Sequence, residues 1–312
     1  MNLTILLTKQ ILSMILMAAG GYVLGKRKVI TGEHGRVLSC FCVYLASPCC
    51  IINGFSTGRD MDKLTGLALG LAAAAAIQLM FYGVTRLLSL GPKGLSKEEV
   101  ASTFFDNAGN LVMPMVNNTL GPEYVIYNTP YILIQNILLW TYGKKIMGGS
   151  QRFSLKKLLT NPIILSMEIG LVLFFTGWQM PEVVAGAVSA TGASIAPVGM
   201  VLIGVLLSDL DLRGAFLQAR IYYVAAIRLL LLPLLTIPLL IFIGRLWPHP
   251  DGLRILTVCL LSAIGPAAAT ILQQATLYHN PHTGYLSSIN VLTTLFCGVT
   301  MPLINALFQW LI

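Results

Sequence analysis

Long apolar runs separated by short polar loops are the feature of this sequence that most restricts its fold. Hydrophobic residues make up 56% of the 312 residues and charged residues only 10%, whereas a soluble domain carries about 25% charged residues. Because roughly 20 apolar residues cross a bilayer as one helix, the chain has room for about ten spans. The composition therefore predicts an all-α integral membrane protein, with the lipid bilayer as its solvent.

Ten transmembrane helices can be placed on the apolar runs. They are 3–25, 36–56, 64–90, 98–119, 123–143, 160–178, 183–208, 216–244, 252–276 and 284–311. Lys and Arg are concentrated in the loops after spans one, three, five and seven. Since basic loops remain in the cytoplasm, we expect both termini on the outer face of the plasma (inner) membrane. The +8 net charge follows from this topology, so nucleic acid is not expected as a partner.

Helix-breaking and polar residues recur at a nearly constant separation along the chain. The pairs are Pro48 with Pro197, Gly109 with Gly265, Pro114 with Pro266, and Asn136 with Asn290. This spacing predicts two repeats of five helices, 1–145 and 159–312, joined by a basic cytoplasmic loop at 146–158. Because five is odd, the second repeat enters the membrane from the opposite side. Inverted repeats with interrupted helices at matching positions are typical of secondary transporters and mark their binding sites.

Spans four and nine contain the strongest helix-breaking signals. Pro114 lacks an N–H and frees a carbonyl near Asn110, while Gly109 tolerates an unwound backbone. Gly265 and Pro266 interrupt span nine among small residues that allow another backbone to approach closely. We predict that broken helices 4 and 9 cross, and that their partly positive half-helix N-termini stabilise an anion. The alternative is a kinked helix whose freed backbone groups form hydrogen bonds with neighbouring helices.

Two charged residues lie inside predicted spans, where charges are costly and mark functional sites. Asp106 has three open roles: it carries a coupling proton, pairs with an arginine or lies in water. Arg228 also has three: its guanidinium snorkels to the cytoplasmic face, forms a structural pair or contacts the substrate.

The residues around these breaks resemble the auxin efflux carrier family. The pattern Asn107-x-Gly109-x4-Pro114 is similar to that family's Asn-x-Gly-x4-Pro motif, and Leu133-Ile134-Gln135 in span five matches as well. Arg228, five positions before a proline, extends the match, which covers nearly the whole chain. Two features differ from the family pattern. Asp106 replaces an expected small residue, and the long central loop of the plant carriers is absent, as in a minimal, prokaryote-like member.

The resemblance implies a scaffold of spans 1–2 and 6–7 and a moving transport domain of spans 3–5 and 8–10. It also implies an elevator-type transporter of a small organic anion, auxin-like or a mono- or dicarboxylate such as malate. By motif position the substrate-binding residues are Asn107, Gly109, Asn110, Pro114, Gln135, Gly265 and Pro266. The resemblance is also compatible with a homodimer that forms through the scaffold spans.

Two other protein classes compete with a transporter. An intramembrane enzyme needs a nucleophile–base pair or a metal at membrane depth. The sequence has no Gly-x-Ser-x-Gly or His-Glu-x-x-His motif, and its four histidines lie in loops. An anion channel has no need of an inverted five-helix repeat. We therefore expect a secondary transporter without catalytic residues, cofactor or metal, with the channel and then the enzyme as alternatives.

Overall fold

The computed structural model describes residues 3–56, 60–148, 159–208 and 218–312, and these are almost entirely helical. The α-helices are α1 Leu3–Lys26, α2 Gly32–Phe41, α3 Ser47–Phe55, α4 Met61–Leu88, α5 Lys97–Phe104, α6 Met113–Thr119, α7 Val125–Leu138, α8 Lys144–Ile146, α9 Pro162–Thr176, α10 Glu182–Ala193, α11 Ile195–Ser208, α12 Ala219–Ala226, α13 Leu232–Leu246, α14 Gly252–Ala263, α15 Ala269–Leu277 and α16 Thr283–Leu311. Short segments of π or 3₁₀ geometry continue several of them, at Cys42–Ala46, Ala108–Val112, Pro122–Tyr124, Leu139–Gly143 and Ile227–Leu231. The prediction of an all-α protein is confirmed. Most of the predicted basic loop, from residue 149 to residue 158, lies outside the described residues.

Several helical stretches of the described chain are long and apolar enough to cross a membrane. They are His34–Phe55, Met61–Leu88, Glu182–Ser208, Ala219–Leu246 and Thr283–Leu311. Pro162–Thr176 and Gly252–Ala263 are apolar but shorter. These helices support a membrane-embedded protein, while the arrangement as ten spans in two inverted repeats stays a prediction.

Local sequence signals set the ends of individual helices. A capping box starts α5, because the Ser96 hydroxyl accepts from the Glu99 backbone N–H (3.2 Å) and the Glu99 carboxylate accepts from the Ser96 N–H (2.8 Å). Asn161 caps α9 by accepting from the Ile163 N–H at 3.0 Å. The same helix ends at Gly177, whose φ of 67° is a left-handed conformation that glycine adopts without strain.

The chain divides into two compact units. The first comprises Met1–Leu67, Gly109–Thr129 and Leu155–Leu210, and the second comprises Ala68–Ala108, Pro130–Ser154 and Asp211–Ile312. The first unit holds the helices of predicted spans one, two, six and seven, together with the second half of span four and the start of span five. The second holds most of span three and the helices of spans eight to ten.

Glycines allow close helix packing inside the first unit. A Cβ atom on Gly21 of α1 would lie 2.8 Å from the Val201 Cα of α11, and one on Gly204 would lie 2.6 Å from the Tyr22 backbone nitrogen. Both distances are too short for real contacts, so the backbones of α1 and α11 approach each other as only glycine permits. Close approach through small residues is a main source of helix association in membranes.

A polar cluster in the second unit fixes the start of α5 against two other helices. The buried Glu99 carboxylate accepts from Arg220 of α12 (Nε to Oε1, 2.7 Å) and from the Tyr285 hydroxyl of α16 (2.7 Å). Arg220 also donates to the Gly94 carbonyl, at 2.9 Å. The cluster thus anchors the helix that leads into the interrupted part of span four.

Candidate functional site

Two short extended segments pair in the second unit, between the ends of interrupted helices. The Asn107 N–H donates to the Pro266 carbonyl, and the Ala268 N–H donates to the Phe105 carbonyl, both at 3.0 Å. The result is an antiparallel bridge between Asp106 and Ala267. This pairing satisfies buried backbone groups that have no helical partner.

Sequence explains why the second of these segments is extended. A residue that precedes proline is biased away from helical geometry, so Gly265 cannot easily continue α14 into Pro266. Pro266 has no N–H to donate, and it contributes its carbonyl to the pairing instead. The Ala267 N–H donates to the Thr293 hydroxyl (3.2 Å), and the Ala267 carbonyl accepts from the Asn290 amide (2.8 Å). Helix α16 therefore holds both sides of the segment.

Arg228 lies between the C-terminal ends of two interrupted helices, with an exposed fraction of 0%. Its Nε donates to the Gly265 carbonyl (2.9 Å), Nη1 to the Thr103 carbonyl (3.0 Å) and Nη2 to the Ala263 carbonyl (2.9 Å). The guanidinium also lies 5.4 Å from the centre of the Phe81 ring. Helix C-termini carry unpaired carbonyls and partial negative charge, so a cation that donates to them stabilises the break. The snorkelling interpretation of Arg228 is therefore wrong.

Asp106 is the counterion of this arginine. One carboxylate oxygen, Oδ1, accepts from the Ala108 backbone N–H at 3.0 Å. The other, Oδ2, accepts from the Tyr131 hydroxyl at 2.5 Å and lies 3.4 Å from the Arg228 Nη2. Of the three roles open to Asp106, pairing with an arginine is the one that the structure shows.

The position of Asp106 bears on the expectation for anion binding in span four. Its carboxylate accepts from the Ala108 N–H, at the first residue of the helical segment Ala108–Val112. The carboxylate of the protein itself thus satisfies one N–H of this half-helix N-terminus and offsets part of its positive charge. Anion binding at this end of span four stays a prediction.

Gln135 contacts the same extended segment through its side-chain amide. Its side-chain Nε2 donates to the Asp106 backbone carbonyl, so one of its N–H groups is used within the protein. The other end of the amide, Oε1, is buried and has no hydrogen-bond partner among the described residues. Gln135 thus presents an unpaired acceptor at this site, and its role in substrate binding stays a prediction.

The predicted site residues fall into both units of the chain. Those in the second unit are Asp106, Asn107, Gln135, Arg228, Gly265 and Pro266, and those in the first are Gly109, Asn110 and Pro114. Gly109 and Asn110 lie in the Ala108–Val112 segment. Pro114 is the second residue of α6, where a missing N–H is tolerated. The backbone pairing joins Pro266 to Asn107.

Sequence reasoning missed Tyr131 and Thr293 as members of this polar network, and it noted Asn290 only as part of the repeat. Tyr131 precedes Gln135 by four residues, so the two side chains share one helix face. That spacing of polar groups on an apolar helix is the signal that could have identified Tyr131.

Comparison with known proteins agrees with a transport role. The family model described as membrane transport protein matches residues 6–153 and 149–305, which is nearly the whole chain. An uncharacterized transporter of Schizosaccharomyces pombe is 23% identical over 160 residues; the match covers 44% of this chain and 35% of the yeast protein's length. The predicted resemblance is thereby confirmed, and this chain belongs to the membrane transport protein family that includes the auxin efflux carriers.

Proposed function

We propose that this protein is a secondary active transporter of a small organic anion across the plasma membrane. The observation that carries the proposal is the pairing of two interrupted helices around a buried Arg228–Asp106 pair. Charged groups and non-helical backbone at membrane depth are costly, and proteins retain them at substrate and ion pathways. Interrupted helices of this kind are where transporters bind their substrates.

The second interrupted helix supports an anionic substrate. Helix α15 begins at Ala269, directly after the paired segment, and its first turn contains no acidic residue. Its partly positive N-terminus is therefore not offset from within that turn, whereas Asp106 offsets the start of the Ala108–Val112 segment. Asn107 lies opposite Pro266 in the backbone pairing, and Pro266 precedes the first residue of α15 by three positions. The start of α15, with no acidic residue in its first turn, supports a carboxylate there.

A ligand-binding screen tests the substrate class directly. We expect mono- or dicarboxylates to raise the melting temperature of the purified protein, because a ligand that binds only the folded state stabilises it by mass action. The corresponding amides and alcohols serve as uncharged controls. Stabilisation by the uncharged compounds alone, or by cations alone, would contradict the proposal.

An exchange assay distinguishes a carrier from a channel. In proteoliposomes that contain the purified protein, unlabelled anion inside the vesicles should accelerate the uptake of labelled anion, because a carrier returns faster when loaded. A channel shows no such acceleration. The proposal extends to an elevator-type mechanism, in which a transport domain of spans 3–5 and 8–10 moves against a scaffold of spans 1–2 and 6–7, and to a homodimer through the scaffold spans.

A further inference from the structure

Two buried glutamines of the second unit have amide oxygens that lack a partner. Gln135 of α7 is 8% exposed and Gln274 of α15 is 4% exposed. The Oε1 atom of each has no hydrogen-bond donor within range among the described residues. Such groups are costly to bury, and an unpaired acceptor in a native site calls for a ligand or an ordered donor.

The orientation of each amide is fixed by the hydrogen bond that its nitrogen atom donates. The Gln135 Nε2 donates to the Asp106 carbonyl, and the Gln274 Nε2 donates to the Leu139 carbonyl at 3.2 Å. Exchanging nitrogen and oxygen in either amide would place an oxygen against a carbonyl oxygen. The unpaired atoms are therefore acceptors, and not donors that were assigned the wrong way round.

One strip of span five contains Gln135 and is contacted by Gln274 of α15. Gln135, Leu139 and Gly143 recur every four residues and so lie on the same face. A Cβ atom on Gly143 would be 3.4 Å from the Gln274 Oε1 and 3.2 Å from the Phe105 ring. Gln274 thus approaches span five where glycine leaves room for it, beside the extended segment that Gln135 contacts.

Amide oxygens repel a carboxylate and accept hydrogen bonds from hydroxyl or ammonium groups. We infer that Gln135 and Gln274 bind a hydrogen-bond donor of the substrate, so that the transported anion is an acid that also carries a hydroxyl or amino group. This inference rests on the proposed function and assigns the two glutamines as specificity-determining residues. The anionic group then lies at the start of α15, and the donor group lies along the strip of span five.

The inference is tested with three dicarboxylates of the same length. Malate carries a hydroxyl group, aspartate an ammonium group and succinate neither. By calorimetry we expect wild-type protein to bind malate or aspartate about tenfold or more tightly than succinate, since one hydrogen bond contributes about a factor of ten. Lactate and propionate provide the same comparison for a monocarboxylate.

A variant of Gln274 tests the assignment, and the same substitution at the adjacent Gln273 is the matched control. Gln274→Leu should reduce the preference for the donor-bearing acid to less than about threefold, while succinate binding persists. Gln273→Leu, at the neighbouring exposed position, should keep the preference of the wild type. If Gln274→Leu does not fold, Gln274→Met removes the same amide with a side chain of similar length.

The outcomes separate this inference from the proposed function. Equal binding of succinate and the donor-bearing acids by wild-type protein, or an unchanged preference in the Gln274 variant, would overturn the assignment of the glutamines while leaving an anion transporter. Failure of the wild type to bind any of the five acids would overturn both.

Discussion

Arg228 shows what a single buried charge does in this protein. Its guanidinium satisfies three carbonyls at the ends of α5 and α14 and pairs with Asp106. The side chain binds two helix ends that would otherwise present unpaired carbonyls in the protein interior. Arginine suits this role because its planar fork of five N–H donors reaches several acceptors at once.

Removal of this guanidinium should destabilise the protein strongly. Arg228→Met leaves the Asp106 carboxylate and three carbonyls without their partner, and breaking a buried ion pair from one side costs about 3–5 kcal/mol. Thermal denaturation in detergent should show a large fall in melting temperature. Arg254→Met is the matched control, because that arginine is mostly exposed and its pair with Asp251 is 3.5 Å long. A similar melting temperature for the two variants would contradict the role assigned to Arg228.

Adjacent charge changes at Asp106 and Asn107 should move anion affinity in opposite directions. Asp106→Asn keeps an oxygen for the Ala108 N–H but leaves Arg228 without its counterion, so carboxylate affinity should rise by about tenfold or more. Asn107→Asp adds a negative charge in the segment paired with Pro266, close in sequence to the start of α15, and should cost about 2–5 kcal/mol of binding free energy. Calorimetry measures both. If the two variants shift affinity in the same direction while both remain folded, an anion does not bind at this position.

At the scale of elements, the packing of α1 against α11 depends on glycine at one position and not at the next. Gly21→Ala places a Cβ atom 2.8 Å from the Val201 Cα, whereas a Cβ on Gly20 meets nothing within 4 Å. Gly21→Ala should lower stability by about 1–3 kcal/mol through overpacking. Gly20→Ala should be neutral or raise stability by up to about 1 kcal/mol, because alanine favours helix.

Thermal denaturation of the two single variants in the same detergent checks this prediction. The residue type, the helix and the substitution are identical in the two variants. The difference between their melting temperatures therefore reports the contact of the added Cβ atom with α11. An equal loss in both variants would indicate that helix–helix approach through Gly21 does not stabilise the first unit.

At the scale of the whole molecule, the distribution of basic residues predicts which side of the membrane each loop occupies. A reporter that is active only in the cytoplasm should be silent when fused after Ile312 and active when inserted into the loop 146–158. The physical reason is the retention of Lys- and Arg-rich loops on the cytoplasmic side. Strong activity of both the fusion after Ile312 and the insertion into the loop 146–158 would contradict five spans in the second repeat.

The sequence predicted the positions of the helices far better than it predicted the contacts between them. Apolar runs located the helices within a few residues, and Gly265 and Pro266 located the interruption of span nine, because these signals are local. The partners of Arg228 had no such signal, since three of them are backbone carbonyls that any residue supplies. Asp106 was recognised as unusual, but its capping of the Ala108 N–H depends on the extended conformation of its own segment.

The hydrogen bonds of Arg228 also impose an order on biogenesis. Thr103 and Asp106 are synthesised well before Arg228, whereas Ala263 and Gly265 follow it by 35 and 37 residues. At ribosomal rates that interval lasts roughly 2–7 seconds, during which the guanidinium lacks two of its acceptors. The nascent chain therefore reaches the membrane with a partly satisfied cation. Its insertion is complete only when the segment around Gly265 arrives, so truncation before that point should yield a protein that the cell's quality control removes.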